Sequence, residues 1–363
     1  MNRARLPLLL TALAVTLPLA EDALAAKRKV PQQYATIQAA VDDAGPGDVV
    51  LISPGVHPET VMIIGKQDLV LRGKGKAVID AGGAAAAILL QGTNDVRIEN
   101  LRLRNAVVGV DANLCGDLVV EGCRVTDVTS SALHLEFCAG ARVTGCRIAG
   151  SESHGILLRD STGCLVDGCR ISNVAFYAVA MSGSAHSIVG NEVEQCGSYG
   201  VRVGLSMTAA TSCLVAENRI ESVGGTGVLV TNWSTDASVI DNVLVDTGGD
   251  GVYANPACDG AVVAGNVIRH VADSGVEIHA EDAVVAENLV KSAADRGIDL
   301  TPNATGALVA GNRIKKPTAE GIRVAGSGNA FVGNEVKKSG GVALSDEAGP
   351  GANYYVGNSF DGP

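Results

Sequence analysis

Residues 266–300 read "NVIRHVADSGVEIHAEDAVVAENLVKSAADRGIDL", and one pattern occurs in them twice. Asn266 and Asn288 each open a short apolar segment. Nine residues later a glycine, Gly275 or Gly297, opens an alternating one, Val276-Glu277-Ile278 and Ile298-Asp299-Leu300. Working outward, the slot held by Asn266 recurs every 22 to 27 residues, at Asn100, Cys123, Cys146, Cys169, Asn191, Asn218, Asn242, Asn266, Asn288, Asn312, Asn334 and Asn358. A period of this length, with two or three short strands in each unit, marks a solenoid whose turns bury their apolar faces only against their neighbours. Val and Ile alternate with polar residues and Gly punctuates the segments, which excludes the helical-repeat architectures.

The pattern therefore predicts an all-β chain: a right-handed, single-stranded parallel β-helix of about 12 coils over residues 47–360, within one domain spanning 26–363. The repeated unit is a glycine, Ile or Val, any residue and an aliphatic one, then an aliphatic-Val pair, Gly or Glu, and Asn. It resembles the repeat of pectin-lyase-like proteins over roughly residues 34–360. The opening stretch "YATIQAAVDDAGPGDVVLISPGVHPETVMI" is similar to the segment that begins that superfamily's fold. By that resemblance a short amphipathic helix over 34–45, with Ile37, Ala40, Val41 and Ala44 on one face, closes the end of the core. The superfamily holds lyases, hydrolases, epimerases and adhesins, so function has to be argued from the residues of a site.

Residues 1–25 have the form of a secretory signal: Arg3 and Arg5, the apolar run from Leu6 to Ala20, and Ala23-Leu24-Ala25 at the cleavage site. The expected product is exported, to the periplasm or the extracellular space, and no later apolar stretch is long enough to span a bilayer. With 28 Lys+Arg against 39 Asp+Glu the net charge is −11, which excludes the basic footprint of a nucleic-acid-binding protein. The same charge repels a polyuronate unless Arg side chains are focused locally or a divalent cation intervenes. Aromatic residues make up only 3% of the chain, few for a surface that stacks on many sugar rings.

Of nine cysteines, Cys123, Cys146 and Cys169 occupy the Asn slot and are expected as a buried row in a turn. Adjacent coils lie about 4.8 Å apart, within the reach of a disulfide, and Cys115 with Cys138, 23 residues apart, is the better candidate pair. A straight stack of thiols cannot converge on zinc. The Asn ladder is read as structural: Asn tolerates a left-handed bend, and stacked amides bond along the axis.

Because successive residues of a strand face opposite sides, the strand after each small residue can be divided into inward and outward sets. Leu133, Leu135, Ile156, Leu158, Val201, Val203, Val276, Ile278, Ile298, Leu300, Ile322 and Val324 point in. The outward columns gather two clusters of chemistry-bearing groups. One holds His134, Glu136, His154, Arg159, Tyr177, Tyr199 and Arg202, beside the long insertion "GLSMTAATSC" at 204–213. The other holds Tyr253, Asn255, Glu277, His279, Asp295, Arg296, Asp299 and Arg323, with Asp250 and Asp273 close by in sequence.

"SGVEIH" at 274–279, followed one coil later by "ADRGIDL", resembles the Tyr-Gly-Phe-Asp-Pro-His motif and following acidic coil of mannuronan C5-epimerases and related alginate lyases. That resemblance implies His279 as acid/base, Glu277 as the motif carboxylate and Asp295 as the acid of the next coil. Ser274 stands in the place of the motif tyrosine, and Tyr253, one coil earlier in the same column as Glu277, is within reach of His279. On this reading His279 or Tyr253 removes the proton beside a uronate carboxylate, with Glu277, Asp299 and Asp295 around them. Arg296 or Arg323 neutralises the carboxylate, while Asn255, Tyr177, Tyr199 and Arg202 contact the polymer. Calcium held by Asp250, Glu277 and Asp299 would supply the same neutralisation. The expected partner is an acidic polysaccharide and the expected chemistry β-elimination or C5-epimerisation. A non-catalytic surface or binding β-helix, and a periplasmic accessory factor, are the other readings. The last coil, "NYYVGNSFDGP", is expected to offer a parallel edge for self-association.

Overall fold

The computed structural model describes residues 25–361 other than Ser206; the expected export signal lies outside these residues except for Ala25. Every interstrand ladder between the named strands is parallel, and the strands advance along the axis in sequence order. One face is a fifteen-stranded sheet running from Lys27–Val30 to Tyr354–Val356, so the solenoid has about fourteen turns rather than about 12. The extra turns lie at the N-terminal end, where coils between Val49 and Glu99 carry no Asn or Cys in the diagnostic slot. Among the described residues no helix is long and apolar enough to cross a membrane.

The cap is shorter than expected, Ile37–Asp43, and its boundaries have clear causes. Thr36 accepts the Ala39 N–H at 3.1 Å, and the Glu59 carboxylate takes the N–H groups of Ile37 and Gln38 at 2.9 and 3.0 Å. Three of the helix's otherwise orphaned donors are thereby satisfied, with a negative charge at its positive end. Ile37, Ala40 and Val41 are buried against the first coil.

The inward set is buried as the alternation requires: Leu133, Ile156, Val201, Val276, Ile298 and Ile322 are all at 0% exposure. Each such side chain contributes about 1.5–3 kcal/mol of transfer free energy, and the turns share one continuous core. The small residue before this strand is a steric necessity. A Cβ on Gly275 would lie 2.4 Å from Val290 Cγ1 and 2.5 Å from Gly297 O.

The Asn ladder exists, with a different division of labour. Asn191 Oδ1 accepts the backbone N–H of Cys169, and from Asn218 onward each Asn Oδ1 accepts the backbone N–H of the Asn one turn earlier, as Asn242 Oδ1 does from Asn218 N at 3.0 Å. Each Nδ2 donates to a carbonyl, as Asn218 does to Ile188 O at 2.8 Å. The left-handed conformation belongs to the residue before, at Gly190, Glu217, Asp241, Gly265 and Glu287. Asn100 is one position out of the slot: it carries that left-handed bend with φ 55°, and Leu101 stands level with Cys123. All nine cysteines are free and buried, including Cys115 and Cys138. Their thiols donate instead to carbonyls within the bends, Cys115 to Asn113 O at 3.3 Å and Cys138 to Glu136 O at 3.4 Å.

Candidate functional site

The groove face is the strand that follows the small residue, and its columns are in the expected register. Asp111, His134, Leu157, Ala180, Arg202, Leu229, Tyr253, Glu277, Asp299 and Arg323 pair in succession across the turns. The two sequence clusters are two separate places on this face.

In the first, His154, Tyr177 and Tyr199 occupy one position on consecutive coils, and their rings stack at centroid distances of 4.8 and 5.3 Å. Arg202 donates to the Tyr177 hydroxyl at 2.7 Å and to Gly204 O at 3.0 Å. The insertion enters where residues 204–209 stand opposite Ser182 alone, and strand pairing resumes at Gly183 with Ala210. Leu205 and Thr208 close a tight turn through two backbone bonds, and Leu205, Met207 and Thr208 help to line a cavity of about 510 Å3. Its walls include His154, Arg159, Phe176, Tyr177, Arg202 and Met207. Burial, and then the charges of Arg159 and Arg202, push the His154 imidazole down to about 4, so it is neutral at pH 7. His154 Nδ1 is buried and has no hydrogen-bond partner. His134 is held by Asp111 at 3.0 Å through Nδ1, and its Nε2 is unpartnered. Glu136 is 4.0 Å from Arg159.

In the second cluster His279 Nε2 lies 2.6 Å from Glu277 Oε1, and the Tyr253 ring is 5.1 Å from the imidazole, tilted by 43°. Burial and then the Glu277 carboxylate push the Tyr253 phenol up to about 12. Asn255 donates to Thr231 Oγ1. The arginines assigned to a substrate carboxylate are committed within the protein. Arg296 bonds Asp295 at 2.6 Å and Glu320 at 3.0 Å, with Asp299 at 3.4 Å; Arg323 bonds Asp299 at 3.0 Å and Glu347 at 3.1 Å. Asp299 is 3% exposed, and burial raises its carboxyl above the usual range although both guanidiniums pull it down.

The expected cation trio changes by one member. Asp250, Asp273 and Glu277 place ligand oxygens within 4.8 Å of one another, and Asp299 belongs to the arginine network instead. Burial, then Glu277 and Asp273, push the Asp250 carboxyl up to about 8, and Asp273 is raised as well. The sequence reading left Asp273 unassigned, although its place one residue before the column of Asp250 and Ser274 was a usable signal. It also missed Phe176, Met207, Glu320 and Glu347.

The low aromatic content misled in another way. The chain has one Trp, six Tyr and four Phe, and six of these eleven, Phe137, Phe176, Tyr177, Tyr199, Trp233 and Tyr253, stand on or at the rim of the groove strand. Phe137, Phe176 and Trp233 are each more than half exposed.

The description "Right handed beta helix region" matches residues 86–244 and 203–362, most of the chain. The protein belongs to the right-handed β-helix family. No curated protein matches this β-helix protein in sequence. Among solved structures it is similar to the A-module of mannuronan C-5 epimerase AlgE6 from Azotobacter vinelandii (TM-score 0.64, 18% identity, 90% of this chain and 94% of that one). It is also similar to PfbA, a surface adhesin of Streptococcus pneumoniae (TM-score 0.60, 13% identity, 86% and 90%). A third is the periplasmic alginate epimerase AlgG (TM-score 0.54, 11% identity, 92% and 83%). At these identities the likeness is one of fold.

Proposed function

We propose that this β-helix protein binds an acidic polysaccharide along its groove face and removes the C5 proton of a uronate in the cavity beside the insertion. One observation carries the reading: a neutral imidazole, a phenol held by a guanidinium and a second arginine converge on that one cavity. Arg159 and Arg202 would neutralise the carboxylate as charge develops on it, which makes the neighbouring C–H acidic. His154 Nε2 takes the C5 proton. Tyr177 then supplies a proton either to the opposite face of C5, giving the epimer, or to the O4 leaving group as the C4–O4 bond breaks, giving an unsaturated product. Tyr199, Phe176, Trp233 and Phe137 offer apolar faces for the sugars to either side.

The expected export signal at 1–25 accords with a substrate found outside the cytoplasm. The fold-level neighbours named above, two of them epimerases, support the class of chemistry as analogy.

A second centre is favoured by the 2.6 Å contact of His279 with Glu277 beside Tyr253, in the segment that resembles the epimerase motif. There the nearest arginines are already paired with Asp295, Asp299, Glu320 and Glu347, and Glu277 and Asp273 add negative charge, so an anionic sugar is less well received.

Purified protein incubated with a panel of uronate polysaccharides in deuterated buffer should show either ultraviolet absorbance, from elimination, or deuterium uptake without cleavage, from epimerisation. His154→Ala and Arg202→Ala should abolish the signal while His279→Ala retains it. The reverse pattern moves the chemistry to Glu277 and His279, and binding with neither signal leaves a carbohydrate-binding protein without turnover.

A further inference from the structure

The triplet Gly-Cys-Arg occurs on three consecutive coils, at 122–124, 145–147 and 168–170. Strand pairing sets its arginines level with one another and with Arg102: Arg102 stands beside Arg124, Arg124 beside Arg147, and Arg147 beside Arg170. Four arginines therefore form one straight row on the strand that follows the Cys slot, spaced about 4.8 Å apart and about 14 Å long. Val78 and Glu192 bound the row at its two ends. Like charges directly opposite on neighbouring strands destabilise a sheet. The chain carries 39 Asp+Glu that could relieve the row, yet only Arg170, at its end, has an acidic partner, Glu192. Among the described residues Arg102, Arg124 and Arg147 make no ion pair and no side-chain hydrogen bond.

The surroundings leave the row accessible. The left-handed residue of the bend before it is glycine at Gly122, Gly145 and Gly168, whereas further along the solenoid the same place is acidic, at Glu217, Asp241 and Glu287. The next outward residues on the same strands are Thr126, Ala149 and Ser172, short and uncharged. Across the bend stand Glu121, which Arg97 holds at 3.0 Å, Thr144 and Asp167. A cavity of about 260 Å3 follows the bends, with Gly122, Gly145, Arg102, Arg124 and Arg147 among its walls. Arg124 and Arg147 are exposed.

We propose that the row Arg102, Arg124, Arg147 and Arg170 is a second binding site for a linear acidic polysaccharide, on a face separate from the groove. A guanidinium takes a carboxylate or sulfate group through two parallel N–H donors. A straight, evenly spaced row of them suits an extended chain with an anionic group on each repeating unit, and such a chain relieves the repulsion within the row. Duplex DNA fits less well, because its phosphates follow a helical path about 3.4 Å apart on each strand. The strands of the row carry no aromatic side chain on which unpaired bases could stack. The site rests on this arrangement of charge and stands whether or not the groove performs chemistry.

Binding of alginate and of dextran sulfate, with uncharged dextran as the control, tests the assignment. The double variant Arg159→Ala/Arg202→Ala removes cations from the groove cavity and should retain polyanion binding that weakens as salt is raised. Adding Arg124→Gln and Arg147→Gln to it changes only exposed side chains, so melting should be unaltered while the retained binding falls at least tenfold. Arg219→Gln, two coils beyond Arg170 in the same column but paired with Glu221, should leave it unchanged. Absence of saturable binding of either polyanion in the groove variant, or undiminished binding once Arg124 and Arg147 are replaced, overturns the proposal and leaves the reading of the groove standing. Binding of duplex DNA or of phosphatidylserine vesicles that depends on Arg124 and Arg147, with none of either polysaccharide, overturns the assigned partner.

Discussion

At the scale of single residues, the groove turns on which charges are paired and which are left free. His154 is an imidazole kept neutral by its surroundings, and this has a thermodynamic sign. Its folded-state pKa lies below the unfolded value of 6.5, so the stability linked to it is fully present above pH 6.5 and is lost as pH falls toward about 4. Thermal melts of the wild type between pH 7 and 4 should therefore fall more steeply than those of His154→Gln, and equal slopes would contradict the neutral assignment. The base form is also retained at pH 5.5, so turnover should not decline between pH 7 and 5.5 through this group. None of this was legible from the chain alone. Alternation shows that His154, Arg202, Asp299 and Arg323 face outward, but whether an arginine bonds a substrate or a neighbouring aspartate depends on side-chain rotamers and on partners two coils away. The same blindness put Asp299 in a cation trio, where the fold gives it two guanidiniums and leaves Asp250 with none.

At the scale of the element, the unit is a strand, a bend and a ladder rung. Period and alternation were readable because each inward Val, Ile or Leu has a fixed core to fill, and a slip of one residue would turn it to solvent. The bends were less readable. Asn, Asp and Gly all tolerate positive φ, and the chain placed the left-handed residue one position before the Asn. The Asn side chain is thereby free to act only through its amide. In Asn266→Ala the N–H and Nδ2 of Asn242 lose their acceptor and Val239 O loses its donor. A cost of about 1–3 kcal/mol for each unsatisfied buried group is expected. A lower denaturant midpoint with unchanged catalysis would place the ladder in the scaffold; unchanged stability would show that water replaces the lost bonds.

At the scale of the whole molecule, every turn touches only its neighbours, so damage should stay local. Phe331 is the largest fully buried side chain and stacks on Tyr355 at 5.0 Å. Phe331→Ala should cost about 3–5 kcal/mol. Amide exchange should accelerate in the turns around residues 308–360 and remain slow around the groove cavity near 154–202. Acceleration throughout would mean that the solenoid unfolds as one cooperative block.

The insertion at 204–209 has a consequence for how such a protein changes over generations. It enters at a bend, and pairing resumes beyond it with Gly183 opposite Ala210, so no later coil had to adjust. New segments can accordingly be tried at any bend at little risk to the rest of the molecule. The course of selection is then free to remake the groove wall by wall, acquiring a new specificity while the inherited spiral beneath it goes on folding as before.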